Sequence, residues 1–305
     1  MTPSIGVINI YKEKGYTSHD VVNVVRRILR PVYGKIKVGH TGTLDPIAEG
    51  VLPVCIGKAT KIAGLLQSDD KIYKALMRLG ITTDTQDITG SITAQRKIEC
   101  DEDTLKQVVS SFYGKQKQTP PMHSAVKING RKLYEAARAG IEIDRPQREI
   151  FIYSIEVNNF NTDTAELAVN CGKGAYIRTL INDIGEKLGC GACMQELLRV
   201  KAGMFDVRDS IKLGELQALA DTGDVSPVIK PIKTTLNYRK INAVAEADKH
   251  LLNGNSISAG LTNCPEDIIE EEKYFISNSL GEIVGIFKAE NVSGLMVLKP
   301  EIMLI

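Results

Sequence analysis

The chain has 305 residues, 43% hydrophobic and 25% charged, and its 38 Lys and Arg against 37 Asp and Glu leave a formal net charge of +1. Such proportions exclude a disordered, collagen-like or coiled-coil chain and leave room for one large domain, or one large and one small. A near-neutral total excludes a uniformly basic nucleic-acid coat but permits a local basic groove, because only the charge facing phosphates matters.

The predicted elements follow in chain order. Residues 5–11 read as a strand. Ser18 is a plausible N-cap with Asp20 in the first turn, followed by Val21, Val24, Val25 and Ile28 at helical spacing. The β-branched run Val-Val-Asn-Val-Val would equally suit a strand. Residues 37–61 carry Gly39, Gly42, Gly50, Gly57, Pro46 and Pro53, a shaped loop leading into an apolar strand at 51–56. Residues 71–79 form a strand. Asp101 caps an amphipathic helix with Leu105, Val108, Val109 and Phe112 on one face and Gly114 as its stop. From Thr119-Pro120-Pro121 to Glu149 the chain is basic and loop-rich, the composition of a flap. A strand at 165–171 precedes the most regular helix, Ile177, Leu180, Ile181, Ile184 and Leu188, ended by Gly189. A helix at 213–220 and a Pro-containing linker at 224–233 lead to a short helix ending at Asn253-Gly254. Strands near Tyr274, 283–287 and 295–298 then suggest a small β-rich module.

No apolar run is long enough to cross a bilayer, and Met1-Thr2-Pro3-Ser4 lacks the features of a secretory signal, so a cytoplasmic chain is expected. Six cysteines spread over such a chain are expected as buried thiols rather than a disulfide frame. Gly57-Lys58-Ala59-Thr60 is a poor P-loop: the first glycine would fall at Leu52, and Ala59 replaces the magnesium-binding hydroxyl. Cys190 and Cys193 form a lone C-x-x-C without the second ligand pair that zinc needs, and the four histidines have no ligand spacing. No metal and no cofactor is therefore expected.

What remains is Gly39-His40-Thr41-Gly42-Thr43-Leu44-Asp45-Pro46, running on to Gly50. Pro46 biases Asp45 away from helical geometry, so its carboxylate can project from a stiff hairpin. Alone, this would be an ordinary turn. Together with Lys71-Ile72-Tyr73, Gly174-Ala175-Tyr176-Ile177-Arg178 and Leu197-Leu198-Arg199, it resembles the TruB family of tRNA pseudouridine synthases, which isomerise uridine 55 in the T loop. Blocks beginning Pro120-Pro121-Met122-His123-Ser124-Ala125, Gly130-Arg131-Lys132 and Ile181-Asn182-Asp183 extend the likeness over more than half the chain. Three positions depart from the family pattern: Glu13 follows Lys12 where proline is usual, Glu49 replaces threonine, and His123 replaces tyrosine.

The resemblance implies an α/β (α+β) fold with a mixed, largely antiparallel sheet flanked by helices. It implies a catalytic domain at 1–236 and a PUA-like RNA-binding module at 237–305. It implies Asp45 as nucleophile, attacking either the sugar carbon or the base ring, with Arg178 as its cationic partner. Tyr73 would be a platform for the flipped uracil and a proton carrier, Tyr176 a nucleotide contact, His40 the filler of the vacated stack, and Leu197 the wall of the pocket. Lys115, Lys117, Lys127, Arg131, Lys132, Arg26, Arg27, Lys35 and Lys37 are candidate phosphate contacts. The implied partner is the T arm of tRNA, with no membrane and no obligate protein partner. Two rivals stand beside this reading: a tRNA-folding helper whose catalysis is secondary, and a guide-RNA-dependent subunit of a particle.

Overall fold

Alternation builds the centre of the structure. In the strand Lys71–Leu79, every second residue from Lys71 through Tyr73, Ala75 and Met77 to Leu79 is buried, and those between are more exposed. A computed structural model describes residues 6–67, 70–124, 126–128 and 130–305. Met1-Thr2-Pro3-Ser4, Ile5, Ala125 and the side chains of Arg131 and Lys132 lie outside the described residues. Lys71–Leu79 pairs antiparallel with Thr164–Cys171 on one side and Ala192–Ala202 on the other. The full order across the main sheet is Ile229–Pro231, Gly6–Lys12, Glu49–Ile56, Ala192–Ala202, Lys71–Leu79, Thr164–Cys171, Arg148–Phe160, Gly114–Gln118. Along that path one pairing is parallel, where Leu198 and Arg199 meet Glu49 and Gly50. There Gly50 has φ +100°, and a Cβ on it would lie 2.3 Å from the Arg199 carbonyl oxygen, so only glycine lets these strands meet.

The valine-rich run at 21–25 is helical, within Ser18–Tyr33. A capping box decides it: Thr17 takes the Asp20 amide proton and Asp20 takes that of Thr17, and Val21, Val22, Val25, Ile28 and Leu29 then face the core. Thr17, not Ser18, is therefore the N-cap, and Ser18 serves another purpose described below. Asp101 caps Glu102–Ser110 as expected, but that helix closes at Ser111, and Gly114, with φ +85°, opens the next strand instead. Residues 224–233 are not a free linker either. Ile229–Pro231 adds to the sheet edge against Gly6–Ile8, and Val225 is fully buried.

The helix Ile177–Leu188 lies on the sheet through Ile177, Leu180, Ile181 and Ile184 and ends in left-handed Gly189. Its Gly185 abuts the start of Ala192–Ala202 so closely that a Cβ would lie 2.2 Å from the Ala192 nitrogen. Gly185→Ala should therefore destabilise the fold by about 1–3 kcal/mol, the cost of overpacking where backbone cannot yield, as read from denaturant unfolding.

A second sheet of five strands follows, ordered Arg239–Asn242, Lys273–Ser277, Ile283–Val292, Leu295–Met303, Ile257–Ser258, which is the β-rich C-terminal part expected. Phe275, Ile286 and Leu304 join the same apolar cluster as Val22 and Leu29, and the Tyr238 and Phe275 rings lie 5.8 Å apart. Among the described residues no helix is long and apolar enough to cross a membrane. Cys55, Cys171, Cys190 and Cys193 are buried free thiols, and burial pushes Cys55 and Cys171 up to about 12.

Candidate active site

The hairpin between Val38–His40 and Glu49–Ile56 holds Asp45 at its bend. Apolar residues on either side anchor it, since Leu44, Ile47 and Ala48 are buried in the cluster that contains Tyr73, Ile177 and Leu197. Its main chain is then tied down by three buried side chains. The Ser18 hydroxyl accepts from the Leu44 amide at 2.8 Å and donates to the Leu44 carbonyl at 3.1 Å. The Arg199 guanidinium donates to the carbonyls of Val51 (2.7 Å), Gly42 (3.0 Å) and Thr43 (3.5 Å). The Lys12 ammonium donates to the carbonyls of Ala48 (2.6 Å), Glu13 (3.1 Å) and Pro46 (3.4 Å). Burial lowers the Lys12 ammonium to about 8, partly opposed by the attraction of Asp45 and Glu49. These donors satisfy carbonyls that a non-repeating loop would otherwise leave unpaired, so the carboxylate stands on a fixed frame.

Arg178, second residue of Ile177–Leu188 and only 4% exposed, brings its Nε to 3.4 Å from Asp45 Oδ2. That is an ion-pair distance without hydrogen-bond alignment, and Nε has no hydrogen-bond partner among the described residues. Its Nη2 donates to the His123 carbonyl at 2.5 Å, and its Nη1 lies 3.9 Å from Asp87 Oδ2. Burial raises the Asp45 pKa; Arg178 and Lys12 pull it down and Asp87 pushes it up, with desolvation the largest effect. Arg178 alone therefore does not hold the carboxyl at an ordinary value. The pair therefore holds a carboxylate whose charge burial makes costly beside a cation that only partly offsets the cost.

Tyr73 sits directly across the ladder from Arg199 and is 6% exposed. Burial raises its phenol and the neighbouring Arg199 opposes that rise, so the neutral hydroxyl is its resting form. Leu197 faces Ala75 on the same pair of strands. Tyr176 is the N-cap of the Arg178 helix, with the guanidinium 5.9 Å from its ring centroid. His40 ends its strand half-buried; its Nδ1 accepts from the Gly42 amide at 3.3 Å, and burial lowers its pKa, assisted by Arg199 and His19. The structure thus brings Asp45, Tyr73, Arg178, Tyr176, Leu197 and His40 onto the hairpin and the elements around it. The exposed candidates Arg26, Arg27, Lys35, Lys37, Lys115, Lys117 and Lys127 lie on the surface, with Lys115 paired to Glu149 at 2.8 Å.

Four residues escaped the sequence reading as parts of the site: Lys12, Ser18, Asp87 and Arg199. Asp87 is buried on the loop between Ile81–Thr83 and Ile92–Gln95, accepting from Thr85 Oγ1 (2.9 Å) and the Thr89 amide (3.0 Å). The adjacent Gln86 holds φ +64°, unusual for a residue with a side chain, and accepts from Thr179 Oγ1 at 2.7 Å. The only textual signal was the cluster Asp84-Thr85-Gln86-Asp87. Two departures from the family pattern act here through main-chain carbonyls, Glu13 toward Lys12 and His123 toward Arg178, so a changed side chain leaves each contact intact.

Residues 26–177 match the model of the TruB family pseudouridylate synthase N-terminal domain, and residues 178–237 that of the tRNA pseudouridylate synthase B C-terminal domain. A tRNA pseudouridine synthase B of Alkaliphilus oremlandii is 48% identical over 253 residues, 83% of this chain and 82% of the relative. Another, of Clostridium acetobutylicum, is 42% identical over 281 residues, 92% of this chain and 94% of that one. Among solved structures, a chain of a Cbf5-Nop10-Gar1 complex superposes with TM-score 0.73 at 28% identity, covering 99% of this chain and 85% of its own. A chain of an H/ACA RNP bound to a substrate RNA containing 2'-deoxyuridine gives TM-score 0.71 at 26% identity, covering 98% and 85%. The mixed sheet and the family models it matches define a pseudouridine-synthase-type isomerase. This chain belongs to the TruB family.

Proposed function

We propose that this chain isomerises uridine to pseudouridine in tRNA, at position 55 of the T loop, and does so without guide RNA or an obligate protein partner. The observation that carries the reading is the stapled hairpin that delivers Asp45 to within 3.4 Å of a buried Arg178. A uridine in a folded loop is out of reach, so it is extruded at a cost of a few kcal/mol of stacking. Tyr73 is the platform for the extruded base, Leu197 lines its pocket, Tyr176 holds the nucleotide, and His40 fills the space left behind.

The Asp45 carboxylate attacks, at the sugar carbon or at the base ring, and the bond between N1 and C1′ breaks. The bond from Asp45 to the nucleoside is broken in turn, either displaced as C5 joins C1′ or eliminated from the ring afterwards, which returns the free carboxylate. The uracil turns, a bond from C5 to C1′ forms, C5 loses its proton and N1 gains one. Atoms and electrons balance within the nucleoside, so the reaction consumes no reductant, oxidant or nucleotide. Residues 1–236 form the catalytic domain, and 237–305 a PUA-like module that adds RNA contacts. The tRNA substrate sets the cytoplasm as the site of action.

The guide-dependent rival draws on the RNP-type structures, at 26–28% identity, against the 42–48% shared with relatives named tRNA pseudouridine synthase B. Incubating the purified chain alone with a T-arm hairpin separates the two. Pseudouridine at the position equivalent to 55 is expected from the protein by itself. Product that forms only after guide RNA and partner proteins are added would overturn the reading.

A further inference from the structure

We infer that Gln118 is a positioning residue for the isomerisation, holding the start of the helix that presents Tyr176 and Arg178. This inference rests on the functional reading above. Gln118 ends the strand Gly114–Gln118 at the root of the flap segment, is 3% exposed, and reaches across to the main chain of Tyr176. Its Oε1 accepts from the Tyr176 amide at 2.8 Å, and its Nε2 donates to the Tyr176 carbonyl at 3.1 Å. The two bonds fix which end of the amide is which, since a backbone N–H needs an acceptor and a carbonyl a donor.

The need for this clamp is local. Tyr176 is the N-cap of Ile177–Leu188, yet no side chain caps the helix from that position. Its carbonyl already accepts the first helical bond, from Leu180 at 3.0 Å, and takes Gln118 as a second donor. Ser, Thr, Asp or Asn would normally set the entry angle of a helix from the N-cap itself. Here a residue 58 positions away does so. Five residues beyond Gln118, the His123 carbonyl receives Arg178 Nη2. One segment therefore grips both the main chain at Tyr176 and the guanidinium at Arg178. A shift of the helix start would move the cation relative to Asp45 and the ring relative to the nucleotide together.

The test uses Gln118→Met, which keeps the side chain's length and apolar stem without either hydrogen bond, and the full-length protein with the T-arm hairpin. A misplacement of about 1 Å costs on the order of 10²-fold in rate, so the single-turnover rate is expected to fall roughly 10- to 100-fold. Hairpin affinity is expected to fall far less than the rate, and the melting temperature by the few degrees that leaving the Tyr176 amide without its acceptor costs. Combined with Arg178→Lys, the loss should be smaller than the product of the two single losses, because both act on the same pair. Gln118→Glu, which keeps the acceptor for the Tyr176 amide but sets an oxygen against its carbonyl, serves if the Met variant does not fold. A wild-type rate in the variant, multiplicative losses, or a rate loss no larger than the loss of affinity would overturn the inference. Wild-type protein inactive on the same hairpin would instead sink the functional reading.

Discussion

Asp45→Asn is expected to abolish pseudouridine formation, by roughly 10⁴–10⁶-fold, the scale on which a lost nucleophile is felt, while the T-arm hairpin still binds. The substitution keeps shape and removes only the charge, so Leu44, Ile47, Lys12, Ser18 and Arg199 continue to hold the hairpin. Gel-shift affinity and a tritium-release or mass-shift assay on the same preparation would measure both properties. Substantial turnover by the Asn variant would refute the assignment of Asp45 and favour a folding helper with chemistry elsewhere.

The pH dependence follows from the direction of the Asp45 shift. Burial raises its pKa in the fold, so the stability contributed by the neutral carboxyl is complete below the unfolded value and is lost as pH rises through the folded one. On the proposed mechanism turnover has the opposite slope, because the attacking form is the carboxylate. The rate should therefore climb with pH through a midpoint above that of an ordinary aspartate, over a range where the protein is slightly less stable. The Asn variant should lose the Asp45 part of that stability slope.

Arg178→Met is expected to cost about 10²–10³ in kcat, the usual loss when one preorganised charge is removed from a dry site. It should also move the acid limb of the rate profile to higher pH, since Arg178 draws the Asp45 value down more than Lys12 does and Asp87 then faces it without an intervening charge. The variant should lose stability as well, because Asp87 remains buried without its cation. Arg178→Lys keeps the charge and gives up the guanidinium's reach to the His123 carbonyl and Asp87. Its acid limb should lie nearer the wild type although its rate falls. Matching pH profiles in wild type and Arg178→Met would exclude electrostatic control of Asp45 by this residue.

Local chemistry was readable in the sequence wherever a signal acts over a few residues. Periodicity placed the strand at 71–79 and the helix from Ile177 to its glycine stop, and the cap at Asp101. Short ordered blocks named Asp45, Tyr73 and Arg178 because their spacing along the chain follows the family pattern. The same rules misplaced the N-cap at Ser18 and the helix stop at Gly114, since capping depends on which side chain turns back to the amide. The segment at 224–233 looked like a linker because Pro227 and Pro231 fall within it. The free edge of the Gly6–Lys12 strand recruits it nonetheless, which no local window records.

What the sequence determined by itself was identity: which residue types recur in which order, and hence the family, with Asp45 as the nucleophile that the resemblance implies. Only the tertiary structure decided how that carboxylate is held and charged. Lys12, Ser18 and Arg199 lie about 30 residues before the bend or some 150 after it, and Asp87 and Gln118 on separate loops and strands. Their common property is a donor or charge aimed at one hairpin or one helix start, and direction in space is not written in any residue's type. Desolvation has the same origin, because the shifts of Asp45, Lys12 and Tyr73 come first from the neighbours that folding packs around them.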